Sequence, residues 1–213
     1  MFRSFRRQIM RWASALTALT LLLVATASAR ASGVTQLEAD IYTAPYGRSG
    51  SYPSGLTVFN GRLFFNAYGD TDYGYELWAY DGANPPAMHT DIYPGPMDST
   101  PTSPAVFNGA LYFGAYDPSS GYELWKYDGV NPPAMVADIR SGASSSYPDH
   151  LAVYDNALYF SADGGDGAGV ELWKYDGVNP PSRVADIYPG ANGSYPSWLV
   201  AVGNRLVFKA DGN

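Results

Sequence analysis

Cysteine is absent from this 213-residue chain, which excludes a disulfide framework, thiolate metal sites, a cysteine nucleophile and a lipid-modified cysteine. Histidine occurs only at His89 and His150, with no spacing to Ser or Asp that suggests a catalytic triad. Basic residues are scarce in the body of the chain. Five of the thirteen lie at or before Arg30, whereas all twenty acidic residues follow it, so the chain beyond carries eight basic against twenty acidic, a net −12. So acidic a surface repels nucleic acid and anionic lipid, and neither is expected as a partner. No helical period of apolar residues appears after residue 34, which excludes helical solenoids.

The first residues are of a different kind. Arg3, Arg6, Arg7 and Arg11 form a positive n-region, Trp12 to Val24 an apolar and small-residue stretch, and Ala27-Ser28-Ala29 an A-x-A cleavage signal. Residues 1–31 therefore read as a signal peptide cleaved after Ala29 or Ala31, and the product as secreted to the extracellular space, cell surface or periplasm. The uncharged run from Trp12 to Ala29 is rich in Ala, Ser and Thr and is marginal for a spanning helix, so no membrane insertion is expected after cleavage.

Residues 32–213 form a repeat region. Glu76-Leu77-Trp78-Ala79-Tyr80-Asp81-Gly82 returns from Glu123 to Gly129 and from Glu171 to Gly177, at offsets of 47 and 48. Each copy is followed by Asn-Pro-Pro and then by an Asp-Ile pair at Asp91, Asp138 and Asp186, a pair already present at Asp40. Earlier in each unit two apolar runs flank a dipeptide suited to positive φ: Asn60-Gly61, Asn108-Gly109, Asp155-Asn156 and Gly203-Asn204. The second run carries Leu-Xaa-Phe (Leu63/Phe65, Leu111/Phe113, Leu158/Phe160, Leu206/Phe208), whose period of two puts both on one buried face.

Four short antiparallel strands in a unit of about 48 residues are the size of a β-propeller blade. The expectation is an all-β, propeller-like chain of about three and a half blades, with units near 53–93, 101–140 and 148–188 and a partial one at 196–213. That is an open arc or a fragment of a larger propeller. Alternatively, the strand around Leu37 to Tyr42 completes the last half blade in a four-bladed ring.

Gly-Tyr-Glu-Leu-Trp-Lys-Tyr-Asp-Gly at 121–129 and Ala-Asp-Ile-Tyr-Pro-Gly at 185–190 resemble the ELWxxDGT repeat family of secreted bacterial proteins, over residues 37–213. The family's Thr after Asp-Gly is replaced here by Ala83, Val130 and Val178. The resemblance implies a propeller-like fold and a poorly characterised function. Ala115, Asp117, Gly121 and Trp125 also fit the docking motif of quinoprotein-type blades, which is read as shared blade geometry and not as evidence for a quinone.

Repetition supplies a test of chemistry, because residues that recur in every unit are architectural, whereas a single active site must break the pattern. Glu76, Glu123 and Glu171, although carboxylate pairs serve glycosidases, recur and are read as hydrogen-bond acceptors for a neighbouring loop, as are Asp40, Asp91, Asp138 and Asp186. Trp78, Trp125 and Trp173 are read as packing and not as sugar platforms, and Asp81, Asp128 and Asp176 as strand terminators. The Asp-rich loops at Asp70-Thr71-Asp72, Asp117 and Asp163 to Gly167 are oxygen-rich but lack the EF-hand pattern, which leaves calcium open as a ligand. No catalytic or cofactor-binding residue is expected, and the metal question is open. The chain reads as a non-catalytic extracellular module for binding or scaffolding through rim loops, its ligand an extracellular protein or glycan. Two alternatives remain: a lectin-like propeller with exposed aromatics such as Tyr46, Tyr73 or Trp198, or part of a propeller enzyme with its active site in other blades.

Overall fold

A computed structural model describes Ile41, residues 50–69 and residues 72–212. The signal-peptide region, Asp40, Tyr46 and Asp70-Thr71 lie outside the described residues. Every regular element among the described residues is a strand. The first sheet holds β1 (Ser54–Phe59), β2 (Arg62–Tyr68), β3 (Tyr75–Tyr80) and β4 (Ala87–Thr90), and the second β5 (Thr102–Phe107), β6 (Ala110–Asp117), β7 (Gly121–Tyr127) and β8 (Ala134–Ala137). The third holds β9 (Asp149–Tyr154), β10 (Ala157–Asp163), β11 (Val170–Tyr175) and β12 (Ser182–Ala185), and β13 (Ser197–Val202) pairs with β14 (Arg205–Lys209). All pairings are antiparallel and run in chain order, so each sheet is a meander.

The turns follow from local chemistry. Asn60-Gly61, Asn108-Gly109 and Asp155-Asn156 all have φ between 45° and 74°, the mirror-image turn that matches strand twist. They bring Phe59 opposite Arg62, Phe107 opposite Ala110 and Tyr154 opposite Ala157. Beyond each third strand an Asp carboxylate closes a turn of its own: Asp81 Oδ1 accepts from the amides of Ala83 and Asn84, and Oδ2 from the Asn84 side chain at 2.8 Å. Asp128 and Asp176 repeat this bond for bond.

The core lies between sheets. Phe59, Phe64, Leu77, Ala79 and Ile92 of the first unit pack on Leu111, Phe113, Ala115 and Tyr127 of the second. One junction on, Phe107, Ala110, Tyr112 and Leu124 meet Leu158, Phe160, Ala162 and Tyr175. Strand alternation explains this: one face of the second sheet meets the first unit and its other face the third. The first strands lie side by side, β1 beside β5, β5 beside β9 and β9 beside β13.

Where each first strand begins, the backbone is strained in the same way four times. Tyr52, Thr100, Tyr147 and Tyr195, each just before a proline, have φ of 46–52°, and three residues later Gly55, Ser103, His150 and Trp198 have φ of 49–64°. Each first strand carries a bulge there. Non-glycine residues in this region cost on the order of 1–3 kcal/mol each and persist only where the surroundings hold them. Part of that hold is backbone pairing: the amides of Tyr68, Tyr116, Asp163 and Asp211 donate to the carbonyls of Ser51, Ser99, Ser146 and Ser194 at 2.7–2.8 Å.

Candidate functional site

The three recurring glutamates are fully buried, and each clamps the linker between two units. Glu76 accepts from the Ile92 amide (2.9 Å) just after β4, and from the Ser99 amide (3.0 Å) and hydroxyl (2.5 Å) just before β5. Glu123 takes Ile139, Arg140 and both donors of Ser146, and Glu171 takes Ile187, Tyr188 and both donors of Ser194. Both oxygens of each carboxylate accept from backbone amides or a serine hydroxyl of the linker, so these carboxylates are placed to hold structure and not to face a substrate.

Burial pushes the Glu76 carboxyl up to about 7, against the opposing pull of the Ser99 hydroxyl and the Ile92 and Ser99 amides, and burial raises Glu123 as well. The Asp81, Asp128 and Asp176 carboxyls are held down at about 2 by the bonds from Asn84, Asn131 and Asn179. The signs are opposite. Glu76 binds its proton more tightly folded than unfolded, so its contribution is complete below pH 4.5 and is lost as pH rises through about 7. The aspartates' contribution is present above pH 3.8 and is lost as pH falls through about 2. The melting temperature is therefore expected to peak near pH 4–5 and to fall toward neutrality, with Glu76→Gln flattening the upper limb. Thermal melts between pH 3 and 8 check this, and a wild-type melting temperature that climbs toward pH 7 contradicts it.

The other recurring residues are similarly engaged. Asp91 and Asp138 accept the amides of Gly95 and Gly142, whereas Asp186 is exposed. Trp125 and Trp173 pack against the two inter-sheet cores. The indole N–H groups of Trp78, Trp125 and Trp173 are all buried without an acceptor. His89 is edge-on to Phe64 and Tyr127 at 5.2 and 4.5 Å, inside the first junction, where burial lowers its pKa. In the Asp-rich loops Asp117 accepts from the Ser119 amide and from the hydroxyls of Ser119 and Ser120, Asp163 pairs with Arg140 and Asp166 with Arg183. Among the described residues no group of three or more His, Asp or Glu side chains converges as a metal site would.

The end of the molecule where the first strands begin is different. Tyr52, Tyr147, Tyr195 and Trp198 are all more than half exposed there, Trp198 at 78%. Tyr73, in the β2–β3 loop, is 41% exposed. Between the second and third sheets this end holds a groove of about 270 Å³ lined by Thr100, Thr102, Tyr122, Tyr147, Pro148 and Asp149. One unit on, the equivalent residues Tyr147, Asp149, Val170, Tyr195, Pro196 and Ser197 line a groove of about 440 Å³, joined by His150, Ser161, Lys209 and Asp211. His150 Nε2 lies 3.9 Å from Asp149 Oδ2, beyond hydrogen-bond reach, with both side chains partly exposed. Aromatic faces beside carboxylate, hydroxyl, imidazole and ammonium groups suit non-covalent capture of a polar ring.

No family model matches this sequence. No curated protein matches it either. Among solved structures the chain is similar to the computationally designed Ika4 protein, with a TM-score of 0.46 and 16% identity over 83% of this chain and 93% of that one. It is also similar to the computationally designed Ika8 protein, with a TM-score of 0.44 and 17% identity over 80% of this chain and 46% of that one.

Of the residues singled out by sequence, His150 and Trp198 stand at this end, while the glutamates, the tryptophans of the third strands and His89 belong to the framework. Sequence reasoning missed Tyr147, Tyr195, Ser161 and Val170. A signal for Val170 was present, since Gly-Tyr-Glu in the first two units becomes Gly-Val-Glu in the third.

Proposed function

We propose that the chain is an exported, non-catalytic recognition module built as a β-propeller-like series of blades, and that it binds carbohydrate through the end where its first strands begin. The observation that carries the reading is the row of exposed rings, Tyr147, Tyr195 and Trp198, alongside two grooves with polar walls. Sugar rings present flat C–H faces to aromatic rings and hydroxyls to polar side chains, and this surface offers both partners together. Support for a binding role over catalysis comes from the recurring carboxylates, whose oxygens are taken up by backbone amides and serine hydroxyls. Support for export comes from the leader at residues 1–31, and support for the blade reading from the unit of about 48 residues and its resemblance to the ELWxxDGT repeats.

The test is a glycan array probed with the chain from Ser32 onward, with and without calcium. Binding is expected to a defined set of glycans, and Trp198→Ala or Tyr147→Ala should weaken it about tenfold, which corresponds to about 1.4 kcal/mol. A blank array under both conditions defeats the carbohydrate reading and leaves a protein ligand or a scaffold role. Dependence on calcium would assign the metal a part in binding.

A further inference from the structure

The two grooves are the same place in successive units, and the residue that makes them differ is visible. In the second unit Tyr122 lies against Tyr147, with ring centroids 5.8 Å apart and planes at 21°. Its hydroxyl is 2.5 Å from Thr102 Oγ1, 2.8 Å from the Thr100 carbonyl and 3.1 Å from the Gly114 carbonyl. Gly114 makes room for it: a Cβ at that position would come within 2.7 Å of the Tyr122 ring, and equally close to the Pro148 carbonyl oxygen of the next unit. Glycine and tyrosine are a matched pair.

In the third unit both members change together. Ser161 stands for Gly114 and Val170 for Tyr122, and the groove there, which also reaches Lys209 and Asp211, measures about 440 Å³ against about 270 Å³. Each group that held Tyr122 keeps a counterpart one unit on: Tyr195 for the Tyr147 ring, Asp149 for Thr102, the Tyr147 carbonyl for that of Thr100, and Ser161 for Gly114. Ser161 is buried and donates to the Asp149 carbonyl at 3.3 Å, so it is a fixed part of the wall. The first unit shows the alternative, where Asn66 replaces the glycine and Tyr75 packs instead on Tyr68 at 5.2 Å.

We infer that the groove between the third and fourth units is the ligand seat, and that it takes one hydroxylated six-membered ring, a pyranose unit, in the place that Tyr122 fills one junction earlier. The inference rests on the carbohydrate reading above and locates its site. A pyranose suits the seat better than a phenol, because His150, Lys209, Asp149 and Asp211 set polar groups around several sides of the groove. A phenol carries a single hydroxyl, and several hydroxyls match such a wall better.

The double variant Ser161→Gly/Val170→Tyr transplants the second junction's pair into the third. Titrations of wild type and variant with free hexoses, N-acetylhexosamines and uronic acids, and with a tyrosine-bearing peptide, test the inference by calorimetry. Wild type is expected to bind at least one monosaccharide at a ratio of one to one, and the double variant to lose that binding more than tenfold with its melting temperature no lower. Tyr195→Ala, at an exposed position and with an unchanged melting temperature as its control, should weaken the same sugar about tenfold. Undiminished sugar binding in either variant overturns this seat but not the carbohydrate reading. Glycan-array binding without any monosaccharide binding overturns the single-ring seat, as does binding of the peptide in preference to sugars. A blank array overturns both readings.

Discussion

Glu123→Ala is expected to lower the stability of the chain by about 3–5 kcal/mol, read as a drop in the urea midpoint at unchanged slope. The clamp explains the size. The side chain is fully buried and accepts from the amides of Ile139, Arg140 and Ser146 and from the Ser146 hydroxyl. Removing it leaves these donors without their acceptor, at about 1–3 kcal/mol for each buried group that finds no replacement. Asp128→Ala is the control. It removes three hydrogen bonds of similar length, but in an exposed turn where water replaces them, and the urea midpoint should move far less than for Glu123→Ala. Ser146→Ala in the Glu123→Ala background should cost much less than in wild type, because the two belong to one network. Equal losses for Glu123→Ala and Asp128→Ala would show that the clamp carries no special share of the stability.

Legibility in the sequence depended on how far apart along the chain the interacting residues lie. The hairpin dipeptides were readable because a requirement for positive φ is written in Asn-Gly itself, and the pairs Leu111/Phe113 and Leu158/Phe160 because strand alternation acts over two residues, whereas Leu63, Leu206 and Phe208 are only partly buried and Phe64 takes the core position in the first unit. The buried glutamate could be marked as repeated, but its partner serine lies 23 residues on, across a linker that only the folded chain brings back. Nothing local announces that Tyr147, Tyr195, His150 and Trp198 adopt positive φ, since their conformation is imposed by the bulge and by pairing with a distant strand. Val170 illustrates the remaining gap. The departure from tyrosine was in plain sight, but its meaning required knowing that Tyr122 stacks on Tyr147 above a glycine, and that the same departure frees a groove one unit on.

Phe113→Ala is expected to cost about 3–5 kcal/mol and, more informatively, to do so at one junction only. Phe113 is fully buried among Phe59, Phe64 and Leu77 of the unit before it, and Phe160 occupies the same position at the next junction. In chains of repeated units stability is close to a sum of unit terms and nearest-neighbour interface terms. A cavity at Phe113 therefore weakens the contact between the first and second units and spares that between the second and third, while Phe160→Ala does the reverse. Amide exchange should report the difference: Phe113→Ala accelerates opening in β1–β4, and Phe160→Ala accelerates it in β9–β12. Phe208 is only half-buried in β14, and its replacement should cost about 1–2 kcal/mol, because less of its surface leaves contact when it is removed. If Phe113→Ala instead accelerates exchange uniformly through all described strands, the units fold as one cooperative block and the nearest-neighbour account of this core is wrong.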